Sequence, residues 1–186
     1  MRFERADVTN RAFDRLEEQW REQVTQFGED FNSFAAPYIE HARGIANEDP
    51  PHRTYGVFLL VNGEDRDSVC LSHCNVAELP RTGGKTLRVN WVLLAPKYDY
   101  EDTPPELVAD IATAFVRESI RLSRGELIPD FRADHIKMRL HGLADKALFE
   151  GIASTLKGME RDLRDVGFRG NWLHMSNSTL ASRIPC

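Results

Sequence analysis

The segment from Lys85 to Pro96 has the sequence Lys-Thr-Leu-Arg-Val-Asn-Trp-Val-Leu-Leu-Ala-Pro, and the other predicted elements are arranged around it. Its first half alternates apolar and polar residues, and it ends in the apolar run from Trp91 to Ala95. Alternation that passes into a continuous apolar run predicts a strand entering the middle of a sheet, where both faces are covered. Pro96 ends the strand, because proline has no N–H to donate to a ladder.

The residues on either side of this strand predict a mixed central β-sheet flanked by helices, in the α/β (α+β) class. Apolar residues spaced by three and four indicate the helices, and alternation indicates the strands. Strands are predicted over residues 1–6, 55–62, 68–79, 85–96, 134–141 and 168–176. Helices are predicted between residues 10 and 28 and over about 31–46, 105–125 and 144–165. The strands from 55 to 96 are expected to form an antiparallel meander, with a hairpin turn at Asn62-Gly63.

Length and composition predict one domain over residues 1–186, with a strand and two helices in residues 1–50 and the sheet and helix core in residues 51–186. A chain of 186 residues with 41% hydrophobic residues is long enough for one well-buried core. The net charge is −5, and the first fifty residues carry all of it, with eleven acidic against six basic residues. The remainder is balanced, so a local basic patch is compatible with the overall charge.

Neither a membrane segment nor a metal site is predicted. The chain has no apolar run near the roughly 18 residues that span a bilayer, and no apolar signal core follows Met1, so a cytoplasmic location is expected. Cys70, His73 and Cys74 do not predict a metal site. In a strand the two cysteines share one face and His73 lies on the other, so the three cannot surround one tetrahedral ion.

Two short motifs and the order of elements resemble the Gcn5-related N-acetyltransferase (GNAT) superfamily, as a divergent member. The first motif, Val-Leu-Leu-Ala-Pro-Lys-Tyr at residues 92–98, is similar to that family's fourth strand and the Pro-x-Tyr turn after it. The second, Asp-Leu-Arg-Asp-Val-Gly-Phe at residues 162–168, is similar to its closing Gly-Phe helix end. The resemblance implies an acyl-CoA N-acyltransferase fold, with acetyl-CoA or another acyl-CoA as cofactor.

The resemblance also implies roles for residues at the end of the central strand. Backbone N–H groups near Val92, Leu93 and Leu94 would polarise the thioester carbonyl, and Tyr98 would lie beside the cofactor. The implied catalytic groups follow directly in the chain. A carboxylate would take a proton from the amine acceptor, and a tyrosine would donate to the leaving thiolate. The candidates are Tyr98, Asp99, Tyr100 and Glu101.

Two positions depart from the family pattern. The turn after the fourth strand is normally basic and rich in glycine, so that its N–H groups hold a pyrophosphate. Here residues 99–106 contain four acids, two prolines and no glycine. The family's helix tyrosine is replaced by Leu163. These departures favour a second hypothesis, in which a catalytically degenerate member of the fold binds a protein or a phosphate-bearing partner such as a nucleotide or nucleic acid.

A basic stripe on the strand from 134 to 141 is the candidate substrate site. Its members are His135, Lys137, Arg139 and His141, with Asn90 on the neighbouring strand. Together they predict a small-molecule or macromolecular amine acceptor with an anionic group. A solvated face is the alternative interpretation. Arg117, Arg121 and Arg124 either extend this patch or pair with nearby acids, and an oligomer is compatible with the sequence.

Overall fold

A computed structural model describes residues 1–64, 66–80, 83–100, 103–139 and 163–178, without the side chain of residue 100. The strands are β1 (Arg2–Ala6), β2 (Tyr55–Asn62), β3 (Asp67–Glu78), β4 (Lys85–Leu94), β5 (His135–Arg139), β6 (Leu163–Arg169) and β7 (Trp172–Asn177). The helices are α1 (Ala12–Gln26), α2 (Ala36–Ala46), α3 (Pro96–Tyr100) and α4 (Pro105–Ser123), and Pro129–Phe131 forms a 3₁₀ turn.

The strands form one seven-stranded mixed sheet in the order β1-β2-β3-β4-β5-β7-β6. β1 pairs antiparallel with β2, β4 pairs parallel with β5, and β7 pairs antiparallel with both β5 and β6. The pairing of β3 with β4 is antiparallel, because Asn90 bonds to Asn75 while Ala95 bonds to Val69. This architecture confirms the predicted fold class and the meander.

The chain forms two compact units. The first comprises Met1–His73 and Val92–Ile111, and the second comprises Cys74–Trp91 and Ala112–Cys186. The boundaries fall inside β3 and β4, so each unit contains segments from distant parts of the chain. The expectation of a single domain over residues 1–186 stays a prediction.

In the first unit, α1 presents one apolar stripe to the core. The stripe recurs every three or four residues and includes Phe13, Leu16, Trp20 and Val24, all buried. The Trp20 indole N–H donates a hydrogen bond of 2.9 Å to the carbonyl of Ser68, so the polar atom of this buried side chain is satisfied. The spacing read from the sequence therefore predicted this helix and its buried face correctly.

In the second unit, one face of the sheet is apolar and fully buried. Leu87 of β4 lies opposite Ile136 of β5, which lies opposite Met175 of β7, and the three side chains are 0%, 0% and 1% exposed. A second row, two residues further along each strand, consists of Val89, Met138 and Leu173. Because side chains alternate across a strand, the residues between these rows occupy the other face.

Asp134 connects the beginnings of β4 and β5. Its carboxylate accepts a hydrogen bond of 2.9 Å from the N–H of Lys85, and its own N–H donates to the carbonyl of Lys85, also at 2.9 Å. The carbonyl of Asp134 accepts a 2.9 Å bond from the N–H of Asn177 at the end of β7. One residue thus sets the alignment of three strands.

The C-terminal part of the chain differs from the sequence prediction. The helix expected over 144–165 and the single strand expected over 168–176 are wrong where the structure describes them, because residues 163–177 form a hairpin of two strands. Gly170 has a φ of 61° and forms the two-residue turn with Asn171, a geometry that glycine allows. The motif at 162–168 is therefore not a helix end, and Leu163 belongs to a strand. Residues 140–162 lie outside the described ranges.

The remaining differences are local. The second helix begins at Ala36 rather than near residue 31, and the loop expected after β4 begins with the short helix α3. Cys70 and Cys74 are buried and belong to no disulfide bond. In the part of the chain that the structure describes, no helix is long and apolar enough to cross a membrane.

We predict opposite effects on stability for alanine at two glycines. A Cβ added at Gly84 would lie 2.4 Å from the Asp134 Oδ2 atom that accepts from Lys85, so Gly84→Ala should lower the free energy of unfolding by about 1–3 kcal/mol. Gly44 lies inside α2 with open space around it, so Gly44→Ala should raise it by about 1 kcal/mol. Urea unfolding of both variants tests this, and equal effects would contradict the role given to Asp134.

Candidate functional site

The alternation of the backbone N–H groups shifts by one residue along β4. The N–H and the C=O of Lys85 both bond to Asp134, on the β5 side, and regular alternation from there would direct the N–H of Ala95 to the same side. The Ala95 N–H instead donates a 2.9 Å bond to the carbonyl of Val69 in β3. The described pairing of β4 with β5 ends at Val89. The side chains of Val92, Leu93 and Leu94 are half-buried.

The helix α3 already uses its own backbone N–H groups. The N–H groups of Tyr98 and Asp99 donate to the carbonyl of Ala95 at 2.8 and 3.2 Å. The N–H of Lys97 donates to the side-chain oxygen of Gln23 at 3.3 Å. At the start of α4, the N–H groups of Leu107 and Val108 donate to the carbonyl of Pro104 in the same way.

The Lys97 side chain is also occupied. Its ammonium donates to the Asp67 carboxylate at 2.5 Å and lies 4.9 Å from the centre of the Tyr98 ring. Partial burial lowers the pKa of Lys97, but the hydrogen bond and the charge of Asp67 outweigh burial and raise it overall. The positive charge of Lys97 is therefore compensated by the carboxylate of Asp67 within the protein.

The predicted catalytic residues lie partly within the described structure. Tyr98 is half-buried and Asp99 is exposed, next to each other in α3. Tyr100 ends α3, and its side chain is outside the described part. Glu101 lies outside the described residues. Their catalytic roles stay predictions.

The described part of the turn after β4 can be compared with one part of an acyl-CoA, its pyrophosphate. A pyrophosphate does not fit the turn after β4, because the N–H groups of Lys97, Tyr98 and Asp99 already have acceptors and Asp99 adds a negative charge. The sequence lacks the basic, glycine-rich turn of the family, and in the structure the described N–H groups of this turn already have acceptors within the protein.

The basic residues predicted on β5 share a sheet face with others from β4, β6 and β7. The register places Arg88, Lys137 and His174 side by side in one row across three strands. The next row contains Arg139, Trp172 and Arg169. His135 lies in the row on the other side, and its Nδ1 is 2.9 Å from the hydroxyl of Ser176. We call this surface the basic sheet face: Arg88, His135, Lys137, Arg139, Arg169 and His174.

Exposure increases along the basic sheet face. Ser176, beside His135, is 8% exposed, Lys137 and His174 are half-buried, and Arg139 and Arg169 are exposed. The guanidinium of Arg88 lies 5.4 Å from the centre of the Trp172 ring, within the range of a cation–π contact.

His174 is the residue most affected by this surface. Burial lowers its pKa to about 4, and the charges of Lys137, Arg169 and His135 act in the same direction. The imidazole therefore stays neutral well below the ordinary histidine pKa of about 6.5. Burial is the largest cause of the lowered pKa, and the neighbouring cations add to it.

Two further predictions concern the same surface. Asn90, predicted to contact substrate, donates a 2.8 Å hydrogen bond to the side-chain oxygen of Asn75 on β3. His141 lies outside the described residues. The arginines of α4 do not extend the patch as unpaired charges, because Arg117 and Arg121 both contact the carboxylate of Glu118, at 3.3 and 3.1 Å.

Sequence reasoning missed Trp172, His174 and Arg169 as members of this surface. The missed signal was Gly170-Asn171, a two-residue hairpin turn between stretches of strand-forming residues. Among the described residues, no group of three or more His, Cys, Asp or Glu side chains is arranged to hold a metal ion.

The structure is similar to solved structures of acetyltransferases. A probable acetyltransferase is 12% identical, with 82% of this chain and 88% of the other covered and a TM-score of 0.48. A protein assigned to the GNAT family from Desulfovibrio desulfuricans is 15% identical, with coverage of 93% and 94% and a TM-score of 0.42. AtaTR bound with acetyl-CoA is 8% identical, with coverage of 80% and 78% and a TM-score of 0.44.

This similarity agrees with the resemblance drawn from the sequence. No protein-family model matches the sequence, and no curated protein matches it. Because the identities are low and these three TM-scores lie below 0.5, we base the proposed function on this chain's own residues.

We predict that Lys137→Gln raises the pKa of His174 towards 6.5, without reaching it because the burial remains. The unfolded chain binds more protons than the folded chain between about pH 6.5 and pH 4, so this histidine makes the wild type less stable as the pH falls through that range. The variant should lose less stability there. Histidine ring shifts measured by NMR during a pH titration test the first point, and urea unfolding at several pH values tests the second.

The matched control is Arg11→Gln, which removes an exposed charge on the other compact unit and should leave the pKa of His174 unchanged. An unchanged pKa in Lys137→Gln would contradict the contribution of neighbouring cations.

Proposed function

We propose that this protein is an acyl-CoA-dependent N-acyltransferase whose amine acceptor carries an anionic group. The observation that carries the proposal is the end of β4, because the described pairing with β5 ends at Val89 and Val92, Leu93 and Leu94 lie beyond the paired part of the strand. Backbone N–H groups of these residues would polarise the carbonyl of a thioester. A cytoplasmic location is part of the same proposal.

In this scheme, the residues after β4 handle protons. A bound acyl thioester would supply the electrophilic carbonyl and a thiolate leaving group. The exposed carboxylate of Asp99 would accept a proton from the acceptor ammonium, directly or through water, with Glu101 as the alternative. The hydroxyl of Tyr98, or of Tyr100, would donate the proton that the leaving group requires.

The acceptor's anionic group would bind to the basic sheet face. Lys137 and Arg139 supply cations there, and His135 and Asn90 supply polar atoms. His141, the next residue of the predicted stripe, completes the proposed set. An amine that also carries a phosphate or carboxylate would match these cations.

A second candidate function is supported by the turn after β4. Because the N–H groups of α3 and the Lys97 ammonium already have partners, a fold of this kind without acyl transfer is also consistent with the structure. In that case the protein would be a catalytically silent module that binds a phosphate-bearing partner.

We expect acetyl-CoA and free coenzyme A to bind in a calorimetric titration at moderate salt, and Val92→Pro to weaken that binding, since proline removes one of the proposed N–H donors. Glu22→Gln is the control, because its exposed carboxylate lies on α1 and has no assigned role. No heat of binding at millimolar concentrations of either ligand would exclude acyl transfer from coenzyme A and leave the binding module.

We expect Tyr98→Phe to lower acetyl-CoA turnover about 100-fold or more, the usual contribution of a general acid. Tyr38→Phe on the exposed side of α2 is the control and should keep full turnover. The assay follows thiol release with amines that do or do not carry a phosphate. Full turnover in Tyr98→Phe would remove the leaving-group role from this residue, and equal rates for both amines would remove the anionic acceptor.

A further inference from the structure

We propose that the basic sheet face binds single-stranded nucleic acid, with a base stacked on Trp172 and the backbone phosphates on the surrounding cations. The inference goes beyond the proposed function and does not depend on it, because it concerns what the basic sheet face binds. A nucleic acid has no ammonium group and is not taken to be the acyl acceptor.

The first support is the charge of the strands that form this face. β4, β5, β6 and β7 together contain six Arg or Lys residues and one acid, Asp165. No ion pair among the described residues involves Lys137, Arg139 or Arg169. Like charges on directly opposed strand positions destabilise a sheet, so an anion placed over them would stabilise it.

The second support is the size of the charged surface. Neighbouring strands are roughly 4.8 Å apart and alternate residues roughly 6.7 Å apart along a strand, so the face from β4 to β6 measures about 14 Å by about 13 Å. A single phosphate can reach only two or three of these side chains. A chain of phosphates matches an array of this extent, as in basic grooves that follow a nucleic-acid backbone.

The third support is the position of Trp172. It lies between Arg139 of β5 and Arg169 of β6, and Arg88 contacts its ring. The ring is half-buried, so part of its surface is accessible. Nucleic-acid bases stack on aromatic rings that lie beside cations. The acidic side chains of a peptide have no planar base to stack on the ring.

The fourth support is an opening in the face beside His174. The residue opposite His174 on β6 is Gly167, and a Cβ built at Gly167 would meet nothing within 4 Å. Among the described residues, no side chain therefore occupies the space over Gly167, and a phosphate placed there would lie beside His174 and next to Arg169. Its charge would raise the pKa of His174, which Lys137 and Arg169 help to lower.

The test uses fluorescence anisotropy of a labelled oligouridylate of twelve nucleotides, without any acyl donor. Binding should weaken linearly with the logarithm of the salt concentration. Lys137→Gln and Arg169→Gln should each weaken binding several-fold and reduce the salt slope by about one. Arg11→Gln, which changes the net charge equally on the other compact unit, should change neither quantity.

A second measurement isolates the stacked base. Trp20 and Trp91 are buried, at 0% and 7% exposed, so a change of intrinsic fluorescence on binding should come from Trp172. Trp172→Phe should lose that change and keep most of the affinity, whereas Trp172→Leu should bind about tenfold more weakly or worse. Urea unfolding of each variant establishes that it is folded.

Several outcomes would overturn the inference. The first is the absence of salt-dependent binding at about 50 mM salt, and the second is an equal effect of Lys137→Gln and Arg11→Gln on binding. The third is that inorganic polyphosphate or duplex RNA binds as tightly as the oligouridylate while Trp172→Leu leaves the affinity unchanged. The two proposals fail separately. Oligouridylate binding without acetyl-CoA binding refutes acyl transfer alone, and the reverse refutes nucleic-acid binding alone.

Discussion

Asp134 lies where three strands meet, and much of the second compact unit depends on its hydrogen bonds. Its carboxylate and N–H both bond to Lys85, and its carbonyl accepts from Asn177. These bonds align β4, β5 and β7 at one end, and the register from there places residue opposite residue along the rest of the strands. A shift by one residue would turn every apolar side chain of a strand to the opposite face, so this alignment has a large energetic consequence.

The same register produces two faces of opposite character. On one face, six apolar side chains in two rows are almost fully buried, which supplies the free energy that holds the strands together. On the other face, the same pairing brings cations of neighbouring strands together, and their charges add to the burial that lowers the pKa of His174 to about 4. The burial of one face therefore offsets the repulsion on the other. A cluster of like charges of this kind attracts ions of opposite charge.

The turn after β4 uses its described donors within the protein. The N–H groups of Lys97, Tyr98 and Asp99 in α3 have protein acceptors, and the Lys97 ammonium pairs with Asp67. In the described part of this turn, these donors are therefore already occupied. Among the described residues, cations of neighbouring strands instead meet on the basic sheet face.

Local patterns in the sequence predicted most of the elements, because an apolar face imposes a period of two or of 3.6 on any strand or helix that buries it. They predicted α1, α4, the meander and the shared face of His135, Lys137 and Arg139. They did not predict the hairpin of β6 and β7, since Leu163–Arg169 has no clear alternation and its conformation depends on pairing with β7. The rows that join Arg88, Lys137 and His174 come from three distant segments. Only strand pairing in the folded chain decides which of these residues become neighbours, because long-range register is not contained in any local period.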